Sequence, residues 1–419
     1  MRFSIRGLVR FGLLLAVAPV AFATTWYVNG VSGSNTNNCL SVSTACKTIG
    51  HAISRTASGD AVLVAAATYK ENLTVGHSLT IAGAGPGTTI IDGGGVATVV
   101  TVSNANARVG LSYFTIRNGR GGIYNSGILT INRCTISGNS ATGGGGIFNH
   151  GTLTVSDSTV SGNSARGMPG LGGGIANLGT ATINGSTITG NTVSGVFGAG
   201  FGGGIGNNGG NLAVNNSTLT GNTATAWGGG IGNESGNLTI NNSTISGNKE
   251  SSGGVANYSG VVILQNSIVA NNSGGDCYNR TAISSHGYNL SGDATCDFDG
   301  AGDLNGIDPK LGTLGYYGGP TQTIPLLSGS PAIDAGNPSG CRDSNGNLLT
   351  TDQRGMPRPD TEDAGGCDMG AFEEQSDTGY CIPQGGLCFG PGGNACCPAP
   401  RGHHSYCSNP TGYGTCVED

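Results

Sequence analysis

Residues 202–222 read GGGIGNNGGNLAVNNSTLTGN, a stretch with no charge, no aromatic ring and four bulky aliphatic side chains, Ile205, Leu212, Val214 and Leu219. The chain as a whole is similar: 80 of its 419 residues are glycine, 10% are charged and 6% aromatic, a composition that signals disorder unless a period organises it. The period is present. The stretch returns as GGIYNSGILTINRCTISGN from Gly121, GGIFNHGTLTVSDSTVSGN from Gly145, GGIANLGTATINGSTITGN from Gly173, GGIGNESGNLTINNSTISGN from Gly229 and GGVANYSGVVILQNSIVANN from Gly253. Its first aliphatic falls at Ile123, Ile147, Ile175, Ile205, Ile231 and Val255, at steps of 24 to 30 residues that suit one superhelical coil each.

Each repeat holds three short alternating segments, such as GGIGN, NLAVN and STLTGN, parted by Gly and Asn turn residues. Three strands per coil specify an all-β fold, a parallel β-helix whose inward residues stack from coil to coil. The expected stacks are the six aliphatics above, then Ile131, Val155, Ile183, Val214, Ile240 and Leu264, then Ile136, Val160, Ile188, Leu219, Ile245 and Val269. Two asparagine ladders share the period: Asn125, Asn149, Asn177, Asn207, Asn233 and Asn257, and Asn139, Asn163, Asn191, Asn222, Asn248 and Asn272. Amides stacked at the strand spacing satisfy one another where an unpaired buried amide costs about 1 to 3 kcal/mol.

The N-terminal MRFSIRGLVRFGLLLAVAPVAFA, with Arg2, Arg6 and Arg10 before an apolar run and Ala21-Phe22-Ala23 after it, reads as a secretory signal over residues 1–23. No later apolar run approaches the roughly 20 residues of a membrane helix, so no transmembrane segment is expected. The formal charge is −6 and basic patches are absent, which argues against nucleic acid as a partner. Six carboxylates precede residue 273, leaving 18 in the last third.

Thirteen cysteines in an exported chain suggest disulfides with one thiol left over. Near neighbours pair Cys39 with Cys46, Cys277 with Cys296, and Cys341 with Cys367. Cys134 stands in the column that later coils fill with Ser158, Ser186, Ser217, Ser243 and Ser267, the place of a small buried thiol. The last six form CIPQGGLCFGPGGNACCPAPRGHHSYCSNPTGYGTC, residues 381–416, and by themselves leave all fifteen connectivities open. Their order, with the adjacent pair, resembles knottins. That resemblance implies Cys381 with Cys397, Cys388 with Cys407, and Cys396 with Cys416.

Residues 24–120 hold an amphipathic face, Ile49, Ala52 and Ile53, ahead of strands at Ala61–Val64 and Leu79–Ile81, as an N-terminal helical plug and first coils require. This entry is similar to that of secreted right-handed β-helix proteins of the pectin-lyase-like type, and the GGI-x-N and STISGN repeats resemble those of bacterial surface β-helix proteins and, more loosely, chlamydial polymorphic outer-membrane proteins. Within residues 273–374, IDPKLGTLGYYGGPTQTIPLLSGSPAIDAGN, TDQRGMPRP and CDMGAFE resemble the choice-of-anchor Q terminal region. These resemblances imply a bacterial secreted or cell-surface protein and no established activity. The domain plan is therefore signal, cap and first coils, regular repeats over 121–272, terminal region over 273–374, linker 375–380 and the knottin-like module.

For chemistry, the regular coils supply only Asp157, Glu234 and Glu250 as acids, with no pair spaced to face one substrate as a polysaccharide lyase or glycoside hydrolase of the pectin-lyase-like type would need. Asp297, Asp299, Asp303 and Asp308 have the carboxylate density of a calcium site without the EF-hand spacing, so calcium is the one candidate cofactor and solvated turn aspartates are the plainer reading. Asp334, Asp352, Arg354 and Asp368 read as a buried ion-pair lock closing the last coil. Candidate binding residues are Tyr124 and Phe148, outward rings on adjacent coils about 4.8 Å apart, open to sugars or packed under an insertion at 165–172, and Arg401, His403, His404 and Tyr406 of the module. The function expected is a non-catalytic extracellular binding or adhesion scaffold for a glycan or protein surface, with an enzyme and a carrier of a knottin-type inhibitor as the alternatives.

Overall fold

The computed structural model describes residues 23–167, 170–195, 200–250, 252–360 and 366–375, with the backbone of three short strands at Leu387–Phe389, Ser405–Cys407 and Tyr413–Glu418. It is a parallel β-solenoid. One coil carries strands Ile123–Asn125, Ile128–Asn132 and Thr135–Ser137, and each pairs in parallel with its equivalent one coil on. The first and second strands of all coils belong to a single 18-stranded sheet and the third strands to an 11-stranded sheet. The division into three segments holds except in two coils, where Ile205–Asn215 and Ile231–Asn241 run through the first corner as unbroken strands.

All three aliphatic stacks form in the expected register, and their members are buried. Burying a column rather than a cluster is what lets so few apolar residues per coil make a core. Both asparagine ladders form as well. Asn125 Nδ2 donates to Asn149 Oδ1 at 2.8 Å and the chain of such bonds continues to Asn257, while Asn139 Nδ2 starts the second at 3.0 Å and it runs to Asn272. The turn after each second strand places one residue near φ +50°: Arg133, Asp157, Gly185, Asn216, Asn242 and Asn266. Asparagine and glycine tolerate that conformation, which is why the repeats are punctuated by them.

At the N-terminal end the helix Ile49–Ile53 buries Ile49, Ala52 and Ile53, and Glu71 accepts the free Ile49 and Gly50 N–H groups at 2.9 and 2.8 Å. The three near-neighbour disulfides are present and Cys134 is a buried free thiol. Its Sγ lies 3.3 Å from Asn132 O, and its N–H donates to Ser158 Oγ at the head of the serine column. Residues 1–22 and the cysteine pairings of the 381–416 module lie outside the described residues; the three short strands there form a small antiparallel sheet, with Tyr413–Glu418 pairing both others.

The terminal region departs from expectation. It does not close the last coil but lies as a lateral strap across the outer face of the third-strand sheet. Thr187, Thr218 and Thr244 point out of the solenoid yet are buried. Thr218 Oγ1 donates to Gln353 Oε1 at 2.6 Å, Gln353 Nε2 donates to Thr187 Oγ1 at 3.0 Å, and Ala371 N–H donates to Thr244 Oγ1. The corner asparagines dock the strap: Asn216 donates to Thr351 O, Asn242 to Arg342 O and Asn266 to Asp368 O. The uncovered coils carry Arg133 and Asp157 at that corner, paired with each other at 3.7 Å. Ile268, Ala270 and Leu290 complete the seam against Leu326, Ala332, Met369 and Phe372.

Candidate functional site

The ring-bearing face is the outer surface of the first strands. Tyr124 and Phe148 are register partners on adjacent coils, with ring centroids 6.0 Å apart, and His150 joins them at 5.6 and 4.7 Å. Further along, the outward column continues as Ala176, Gly206 and Gly232, and there it is covered. The segment preceding each of these coils folds back over it, stacking Leu171, Phe201 and Trp227 in register. A Cβ on Gly206 would meet Phe201 O at 2.8 Å and one on Gly232 would meet Trp227 O at 2.9 Å, so the cover requires glycine there.

The result is an aromatic strip along the solenoid axis. Phe201 and Trp227 have centroids 4.7 Å apart, Trp227 and Tyr258 4.5 Å, and the Arg280 guanidinium sits 3.8 Å from the centroid of the Tyr258 ring. His150, Phe201, Trp227, Tyr258 and Arg280 escaped the sequence reading because they lie off the alternating strand positions. One signal was available: LGGGI, FGGGI and WGGGI place Leu171, Phe201 and Trp227 four residues before Ile175, Ile205 and Ile231.

Where the strip begins there is a cleft of about 360 Å3, lined by Thr98, Arg120, Tyr124, Thr142, Phe148 and Leu171 among others. Phe148 thus both packs on Leu171, as the insertion reading required, and faces this cleft, as the open reading required. Arg120 Nε donates to Gly95 O at 3.1 Å, which fixes the guanidinium while leaving its two Nη groups for a ligand. An aromatic wall with hydroxyl and guanidinium donors is the composition of a site for a polar ring such as a sugar.

Glu234 stands further along the same face. The strand pairing runs Asn207 to Asn233 and then Asn208 to Ser235, so Glu234 is the extra residue of a β-bulge. It follows Asn233 just as Tyr258 follows Asn257, its register partner one coil on. Its carboxyl has no hydrogen-bonding group facing it among the described residues, Oε2 is sealed from water, and desolvation raises its pKa above the usual carboxylate range. The other coil acids are engaged elsewhere, Asp157 with Arg133 and Glu250 with Ser252 N–H.

The remaining candidates separate. Asp297, Asp299 and Asp308 are exposed, and Asp303 accepts from Ser285 Oγ, Asn289 N–H and Gly300 N–H, which is turn work. Among the described residues the grouping close enough to share a metal is Cys39, Cys46 and His51, and there the two sulfurs are bonded to each other. The expected lock is real in part. Arg354 Nε bonds Asp352 at 2.7 Å, fully buried, and its guanidinium stacks on Phe372. A second buried pair, Arg358 with Glu373 at 2.6 Å, was not foreseen. Asp368 accepts the Asp334 and Glu374 N–H groups, and desolvation followed by the Glu373 charge pushes it up to about 8. Both pairs serve the strap, away from the ring-bearing face. Arg401, His403 and His404 lie outside the described residues, as does the side chain of Tyr406.

No family model matches the chain, and no curated protein matches it. Among solved structures, the crystal structure of pectate lyase Pel9A superposes with a TM-score of 0.51 at 15% identity, over 85% of this chain and 98% of that one. Pectin methylesterase PemA from Erwinia chrysanthemi gives a TM-score of 0.30 at 14% identity, over 67% of this chain and 82% of that one. The first likeness shows the fold, a pectate-lyase-like parallel β-solenoid, and the fold alone.

Proposed function

We propose that this chain is a secreted, non-catalytic scaffold that binds an extracellular glycan on the ring-bearing face of its solenoid. The observation that carries the reading is the cleft walled by Tyr124 and Phe148 with the Arg120 Nη groups beside them, continued by Phe201, Trp227 and Tyr258. Rigid rings on a stiff sheet bind with little ordering cost. The disulfides Cys277–Cys296 and Cys341–Cys367 support an oxidising, exported location. Among the described residues the acid in the outward columns of this face is Glu234, whereas hydrolysis by paired carboxylates needs two.

The test is native electrophoresis of the full chain through gels containing soluble arabinoxylan, galactomannan, mixed-linkage β-glucan or polygalacturonate. Retardation by at least one polymer, lost in the Tyr124→Ala/Phe148→Ala variant at unchanged melting temperature, is the expected result. An unretarded chain in every gel, or a double variant retarded like the parent, contradicts the reading.

A further inference from the structure

The cleft beside Tyr124 and Phe148 is lined by one charged side chain, Arg120, and by no carboxylate. Three bonds tie Arg120 to the turn at 95–98. Its N–H donates to Ala97 O at 3.0 Å, its carbonyl accepts from Thr98 Oγ1 at 3.5 Å, and its Nε donates to Gly95 O at 3.1 Å. Backbone and guanidinium are thus fixed together, and the Nη donors stay open because the residue is exposed. The acid that precedes the same turn is engaged elsewhere: Asp92 pairs with Arg117 at 3.0 Å and accepts from Asn118 Nδ2 at 2.9 Å. Among the described residues Arg120 has no ion pair. A second cation stands at the rim, since Ala141 pairs in register with Ala165, which sets exposed Arg166 one coil on from Thr142.

We propose that Arg120 grips an oxyanion on a sugar whose ring packs on Tyr124 and Phe148, the carboxylate of a uronate or a sulfate ester, and so selects an acidic glycan over a neutral one. The inference rests on the glycan reading of this face and names the ligand class for it. A guanidinium whose Nε is already bonded presents its two Nη groups as an end-on fork, and either oxyanion offers a pair of acceptor oxygens to match it. Holding the fork in place beforehand removes most of the side-chain entropy that an exposed pair otherwise loses. The cleft, about 360 Å3, has the size of a site for one small ligand group. The chain as a whole carries a formal charge of −6, so diffuse attraction does not favour a polyanion and any preference for one has to come from a local site.

The experiment adds two matched pairs to the affinity gels: polygalacturonate with its carboxyl-reduced form, and dextran sulfate with dextran. For the parent chain the acidic member of at least one pair should bind about fivefold more tightly than its neutral partner, the upper range for an exposed ion pair. An excess in the first pair assigns the carboxylate and an excess in the second assigns the sulfate. Arg120→Gln should bring that ratio close to one, while Arg166→Gln, the same change in net charge at the rim, should lower it less. Parent ratios near one in both pairs overturn the proposal without any variant having to fold. So does an Arg120→Gln chain that keeps the excess, or an Arg166→Gln chain that loses as much, because the preference would then come from diffuse charge. If neutral polymers retard the parent and Tyr124→Ala/Phe148→Ala abolishes this, yet neither pair shows an acidic excess, the glycan reading stands and the role of Arg120 falls. Retardation by none of the polymers overturns both.

Discussion

Asn191 is the residue whose removal tests the amide ladder most sharply. Its Oδ1 accepts the Asn163 N–H and Asn163 Nδ2, both at 3.0 Å, and its Nδ2 donates to Val160 O at 2.9 Å and Asn222 Oδ1 at 3.0 Å. All four bonds are buried. With a net value near 1 kcal/mol for each and desolvated partners left behind, Asn191→Ala should cost about 4 kcal/mol. Asn191→Asp keeps the acceptor but sets an oxygen against Val160 O and Asn222 Oδ1, so it should be worse than alanine at neutral pH. A buried carboxyl there would have a raised folded pKa. Its stability contribution is therefore present at low pH and lost as pH rises, so the Asp variant should approach the Ala variant below about pH 4. Asn211→Ala is the control, since Asn211 Oδ1 only accepts from Asn237 Nδ2 on the exposed face, and it should change stability by under about 0.5 kcal/mol. Urea unfolding followed by circular dichroism gives the midpoints. If Asn191→Ala shifts stability by less than about 1 kcal/mol, or no more than Asn211→Ala, the ladder does not hold the coils together.

Inward and outward positions should respond differently along one strand. Leu219→Asp puts an unpaired charge into the column and should cost several kcal/mol, Thr220→Asp should change little, and Thr218→Ala should lose about 1 kcal/mol through its bond to Gln353; equal tolerance at all three sites by urea melts would refute the alternation. Cys134, whose thiol burial pushes up to about 11, should remain unmodified by a thiol reagent at pH 8 in the native protein and react only after denaturation; prompt labelling of the native chain at this position would contradict its place in the serine column. Asp368, held up to about 8, binds a proton in the folded protein that the unfolded chain releases above about pH 4. Its contribution thus falls as pH rises between those values, and the melting temperature of Asp368→Asn should depend less steeply on pH over that window than the parent's. An unchanged slope would show that Asp368 is ionised beneath the strap.

The solenoid was legible because each of its parts recurs. Ile205, Asn207 and Leu219 have equivalents one coil away on either side, so the sequence shows the register directly and the structure repeats it. Pairings without a period were not legible. Gln353 reaches Thr187 across 166 residues, and no spacing in the sequence announces that contact, so the terminal region was expected at the end of the solenoid rather than along its side. The aspartates of 297–308 looked dense in sequence because turns bring acids close along the chain, yet three of the four point to solvent. Tyr124 and Phe148 were visible because they sit on strand positions. Phe201, Trp227 and Tyr258 sit where insertions fold back or where the corner begins, and the reading of alternation passed over them. Glu234 became conspicuous only once its bulge and its lack of donors could be seen.

The chain has two tryptophans, and their placement allows a direct test of where a glycan binds. Trp26 donates to Asp60 Oδ2 in the first coil, whereas Trp227 lies between Phe201 and Tyr258 on the strip. With Trp26→Phe removing the remote fluorophore, titration by whichever polysaccharide retards the parent chain should shift and saturate the Trp227 emission at the concentration that produces retardation. Retardation with the Trp227 emission unchanged across that range would contradict the central claim, because the ligand would then be binding away from the ring-bearing face.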